Sequence, residues 1–121
     1  MGLGDDIKAA VDDVRDSLGL DCTLNGTQAL GHCAYHDLNP ASVRDVLGDD
    51  YQDELNLRWA MIEVPVGAWT VGEQDKITVD LTSESWIVRR VIVAQAAGVK
   101  IADRCICHRQ LGADPIVNVP V

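Results

Sequence analysis

The chain has 121 residues, 47% hydrophobic and 24% charged, which suits one domain with its own core, leaves too little for two, and excludes a disordered polymer. Nineteen acidic against ten basic residues give a net charge of -9, which excludes a protein that grips nucleic-acid phosphates with clustered Lys and Arg. The opening MGLGDDIK is acidic where an export signal is basic and then apolar, Asp6 stands where N-myristoylation needs Ser or Thr, and no apolar run reaches the ~18 residues of a membrane span. The expectation is a cytosolic product with no membrane partner, whose four cysteines stay reduced.

In chain order, GDDIKAAVDDVRDSLG spaces Ile7, Val11, Val14 and Leu18 as one helical stripe. Asp5 and Asp6 favour the positive end of the helix dipole and Gly19 marks the stop, so an amphipathic helix is predicted over residues 1–19. DCTLNGT and ALGHCAYHDL read as two short strands joined at the Asn25-Gly26 turn. LNPASVRDVLGDDY offers Asn39 as a cap, Pro40 at the first helical position, Val43 and Leu47 four apart and Gly48 as a terminator. These predict a short helix, with an ordered loop as the alternative. NLRWAMIEVP is an apolar strand closed by Pro65, and KITVDLT alternates Ile77, Val79 and Leu81 against Thr78, Asp80 and Thr82. SES then turns the chain into WIVRRVIVA, whose β-branched run predicts a strand covered on both faces over part of its length, and AAG turns it into VKIADRCICHR. The last three strands form an antiparallel meander. The tail, LGADPIVNVPV, holds two prolines and no period, so it reads as an extended arm that docks on a neighbouring subunit or hugs the surface. The fold class is therefore mainly β with an N-terminal α-helix: a small antiparallel β-barrel or sandwich with long loops. The organisation is a single domain, 1–121, with the helix at 1–19, a β-rich core at 20–110 and a C-terminal arm at 111–121.

Residues 103–110, DRCICHRQ, place Cys105, Cys107 and His108 within four positions. On a strand the two thiols share one face while Ile106 and His108 share the other, so the three cannot converge on one ion, and Cys-x-Cys is tighter than the usual structural-zinc gap. A zinc-stabilised binding module would need GHCAYH, with His32, Cys33 and His36, to lie beside this strand, with Cys22 joining. A cysteine enzyme would need one thiol against His32, His36 or His108 and an orienting acid. No family signature surrounds the thiols and no phosphate-binding glycine loop is present. The expectation is no catalytic residue, no cofactor and no metal. Trp59 and Trp86 fall at strand positions suited to core or subunit contact, while Trp69 falls in a loop, where it suits an interface anchor.

The order of parts resembles the head-tail joining proteins of tailed bacteriophages, the stopper or head-completion group. The likeness lies in VGEQDKITVDLTSESWIVRRVIVAQAAGVKIADRCICHRQ. DKITV, SESWIVRRV and VKIADRCICHR stand where that group has a Gly-Asp-led strand, an aromatic-led strand and a last apolar strand with a basic end. Gln74 and Asp75 lengthen the usual Gly-Asp entry and CICH departs from the pattern, which leaves stopper and tail terminator both open. The resemblance implies a structural virion protein of the neck, made in the bacterial cytoplasm. It also implies a ring of identical copies, a homo-hexamer, that meets portal or adaptor proteins on one side and a tail terminator or tail-tube protein on the other. Double-stranded DNA would pass through the lumen without sequence-specific binding. Residues 39–56 or 65–76 would be the channel-facing or partner-facing loops.

Overall fold

The computed structural model describes residues 2–48 and 57–110; the arm at 111–121 and the second half of the 39–56 segment lie outside these. Helix α1 (Leu3–Leu18) runs where its stripe predicts and stops before Gly19. Strands β1 (Leu20–Leu24) and β2 (Gln28–Leu38) form a hairpin whose turn has φ of 52° at Asn25 and 79° at Gly26, with the Thr27 N–H donating to the Leu24 carbonyl at 3.1 Å. Both central residues are left-handed, the geometry that matches the twist of hairpin strands and that Asn-Gly tolerates best. Helix α2 (Pro40–Leu47) is capped as read: Asn39 Oδ1 accepts from the Ser42 N–H at 2.8 Å, and Pro40 opens the helix.

Strand β3 (Leu57–Pro65) ends at its proline, and β4 (Lys76–Val79), β5 (Glu84–Ala96) and β6 (Val99–Gln110) make the meander. Two boundaries differ from the sequence reading. β4 stops at Val79 because the chain turns through Asp80–Ser83, with φ of 59° at Ser83 and Leu81 80% exposed. Glu84 and Ser85 therefore belong to β5 and not to a turn. Burial on both faces belongs less to β5 than to β6, where Ile101, Ala102, Asp103, Cys105, Ile106, Cys107 and Arg109 are all buried. Period-2 patterning of β6 fails because one face lines the barrel while helices cover the other.

The six strands close into an antiparallel barrel in the order β1-β2-β3-β6-β5-β4, β4 pairing back onto β1. Closure is pinned by the hairpin turn itself: Asn25 N–H donates to the Lys76 carbonyl (2.7 Å) and Asn25 Oδ1 accepts from the Lys76 N–H (2.9 Å). A closed barrel leaves no free edge along its paired length. The interior holds Leu30, Cys33, Ile62, Ile77, Trp86, Val88, Cys105 and Cys107, each fully buried. A buried aliphatic residue of this kind contributes roughly 1.5–3 kcal/mol. Outside the wall, α2 seals a second cluster, Val43, Leu47, Trp59 and Ile106.

The loop after β3 folds onto the barrel: Val71 is buried and Trp69 packs against the core while its Nε1 donates to the Pro65 carbonyl at 3.1 Å. Trp69, read as suited to an interface, is thus engaged within the chain. β5 and β6 run on past the last β3 pair, Pro65 with Ala102, as a two-stranded ribbon turning at Ala97 and Gly98. Helix α1 leans on that ribbon at Gly4, where a methyl group would overlap the Ala96 carbonyl oxygen and the Val99 side chain. Only glycine permits so close an approach.

Candidate functional site

The residues weighed for zinc or thiol chemistry are divided by the barrel wall. Cys22, Cys33, Cys105 and Cys107 are free thiols buried in the interior. The imidazoles point elsewhere: His32 faces Asp21 at 3.3 Å, and His108 lies edge-on to Trp59 with ring centroids 5.2 Å apart. GHCAYH is not beside the last strand, since β3 stands between β2 and β6. Among the described residues no group of three His, Cys, Asp or Glu converges as metal ligands do. Burial pushes the Cys105 thiol up to about 12, helped by the negative charges of Asp103 and Asp75, and burial raises Cys107 well above the ordinary thiol range. Such thiols are packing material rather than nucleophiles.

Sequence reasoning missed a polar clasp at the barrel end where β1 begins. Arg58 donates to Asp37 Oδ1 and to the Tyr35 hydroxyl, both at 3.3 Å, and to Glu84 Oε2 at 3.4 Å. Arg109, 5% exposed, pairs with the same Glu84 carboxylate. Both guanidinium groups lie over the Trp86 ring, 5.6 and 5.7 Å from its centroid, and Tyr35 meets that ring edge-on at 5.7 Å. Tyr35 donates to Asp37 at 2.6 Å, and its phenol is pushed up to about 12, first by burial and then by that hydrogen bond. Two cations and two carboxylates thus satisfy one another above an indole, where cation-π attraction adds to the ion pairs. The signal was available in strand parity. Arg58 falls in step with inward-facing Ala60, Ile62 and Val64, Glu84 with Trp86 and Val88, and Arg109 with Cys105 and Cys107. At the opposite end Asp103 is buried on the same face and paired with Lys100 at 3.1 Å.

Two open surfaces stand out among the described residues. The first is an apolar slot of about 550 Å³ between α1 and the outer face of β2, with Ile7, Ala10, Val11 and Val14 on one wall and Ala34, His36 and Glu63 on the other. Ile7 and Val11 are half-buried and Val14 is 59% exposed, so the helix stripe is only partly covered. The second is the ribbon. Past Val88, which exchanges hydrogen bonds with Gln74 and Asp75, β5 pairs with β6 alone among the described residues, and Ile92 and Val93 are exposed on it. An apolar helix face and a strand edge can each bind a chain, and the titratable side chains of His36 and Glu63 line the slot.

No family model, no curated protein and no solved structure matches the chain.

Proposed function

We propose that the protein is a structural part of the tailed-phage neck, a head-tail joining protein of the stopper type that works as a ring of identical copies. The observation that carries this reading is the β5–β6 ribbon: a strand edge with exposed Ile92 and Val93 standing clear of a closed barrel. Natural proteins blunt or cover such edges when they work alone, and head-to-tail contact between identical copies closes into a ring when the rotation allows. The small barrel with an appended N-terminal helix also agrees with the architecture expected of that group. A net charge of -9 lets DNA slide through a lumen, because an acidic wall releases no counterions and so does not adhere.

In this reading the ribbon makes the lateral contact, and the outward surfaces meet portal or adaptor on one side and the tail on the other. The test is sedimentation and native mass spectrometry of the purified chain alone, and after mixing with DNA-filled heads that lack a neck protein. A closed oligomer on the heads, with DNA retained and tails able to join, supports the proposal. A chain that stays monomeric under both conditions, or binds heads without altering DNA retention or tail joining, overturns it.

A further inference from the structure

Asn25 is the one asparagine of the chain that is followed by glycine, and nothing lies within 4 Å of the place a Cβ would take at Gly26. With no side chain to shield it, the Gly26 backbone nitrogen is open to attack the carboxamide of the residue before it. We infer that Asn25 is a self-modifying site gated by the β1–β4 seam: the closed seam holds its carboxamide to Asp75 and Lys76, and the open seam releases it to lose its amide. The inference does not depend on the neck reading.

The reaction needs only water. The Gly26 nitrogen bonds to Cγ of Asn25 while the Cγ–Nδ2 bond breaks, and Nδ2 leaves as ammonia together with the Gly26 amide proton. The succinimide so formed takes up one water. Breaking its bond from nitrogen to Cγ leaves aspartate. Breaking its bond from nitrogen to the main-chain carbonyl carbon leaves isoaspartate, whose main chain runs through Cγ. Nothing is oxidised or reduced.

Both ends of the carboxamide are held from across the seam. Oδ1 accepts from the Lys76 N–H at 2.9 Å, and Nδ2 donates to Asp75 Oδ1 at 3.3 Å. Asn25 is exposed, so these tethers and not burial keep its Cγ from Gly26. The seam itself is short: β1 meets β4 at three positions, Cys22 with Val79, Thr23 with Thr78 and Leu24 with Ile77. So short a pairing opens at less cost than unfolding of the whole barrel. Once formed, the product does not fit the same clasp. Aspartate puts a second carboxylate where Nδ2 faced Asp75, and like charges so close repel. Isoaspartate lengthens the main chain within the tight turn that sets the register of its strands.

The experiment incubates the full chain at neutral pH, native and in denaturant, and follows the conversion of amide to acid by digestion and mass spectrometry. Asn25 should convert at least roughly tenfold faster in denaturant than in the native chain, and its rate should already rise below the global unfolding transition. Asp75→Ala removes one tether and should speed the native reaction several-fold. Leu47→Ala weakens the chain far from the seam and should leave that rate near the original. In the converted chain Cys22, buried behind the seam, should react with a thiol dye before Cys33 does. Equal rates in native and denatured chain overturn the gating, and no conversion of Asn25 in either state overturns the site. Leu47→Ala matching Asp75→Ala overturns the seam in favour of global unfolding. If Asp75→Ala does not fold, a rate that rises only with the global transition does the same. Cys22 labelled no sooner than Cys33 overturns the effect assigned to the product.

Discussion

Two helices lie on the outside of one barrel, and they are covered to very different degrees. Helix α2 is eight residues long, yet Val43 is 0% and Leu47 3% exposed, closed over Trp59 and Ile106. Helix α1 is twice as long, yet Val14 is 59% exposed beside an apolar slot. Propensity cannot account for this, since the longer helix has the stronger stripe. What differs is the wall: α2 meets an indole and an isoleucine that close against it, whereas α1 faces Ala34 flanked by the polar side chains of His36 and Glu63. A short helix on a bulky apolar wall is part of the core, and a long helix beside a partly polar wall keeps apolar surface open.

Mutagenesis breaks or sharpens that contrast. Trp86→Ala sets the upper limit: the indole is fully buried and supports both guanidinium groups of the clasp, so chemical denaturation should register a loss of about 3–5 kcal/mol. Leu47→Ala on the α2 side should cost about 2–4 kcal/mol by the same measurement. Val14→Ala should stay within about 0.5 kcal/mol if the slot is empty; a cost approaching that of Leu47→Ala would mean that the slot is filled in solution. Glu84→Gln takes the counter-charge from Arg109, 5% exposed, and weakens its hold on Arg58. Because the Glu84 side chain is itself 26% exposed, the expected loss is about 2 kcal/mol rather than that of a fully buried pair.

Alkaline titration separates the interior from both helices. The Cys105 thiol is raised from an ordinary 9.0 to about 12 by burial, so the folded chain holds a proton that the unfolded chain releases. Stability from this group is complete below pH 9 and falls as pH rises towards about 12, at roughly 1.4 kcal/mol per pH unit within that window. A thiol-reactive dye at pH 8 should label none of the four cysteines until denaturant is added, and labelling should rise together with unfolding. An effect smaller than those of the core substitutions is expected of Asn39→Ala, which removes the cap on α2 and should lower stability by about 1 kcal/mol with little change elsewhere.

Much of this architecture could be read from periodicity. The helix stripe, the Asn25-Gly26 turn, the Asn39-Pro40 cap and the three-strand meander are local signals, and each is written in adjacent residues. The extent of β4 was not legible, because alternation continues through Leu81 in the sequence while the barrel turns at Asp80. Closure of the barrel was not legible either, since it depends on β4 meeting β1 across some fifty positions. The clasp lay between these cases. Arg58, Glu84 and Arg109 carry the parity of inward-facing residues, but a charge at an inward position reads as solvent-facing until its partners are known to share one rim. The assignment of Cys105 and Cys107 to one face and Ile106 to the other needed only the pleat, and it determined which residues were available for chemistry.

Gly4 gives the molecule a mechanical linkage. Because Gly4 has no side chain, the helix backbone rests directly on the Ala96 carbonyl and the Val99 side chain, so the first turn of α1 and the tip of β5 and β6 hold one another in place. Any bulkier residue at position 4 would have to part the helix from the ribbon before it could be accommodated.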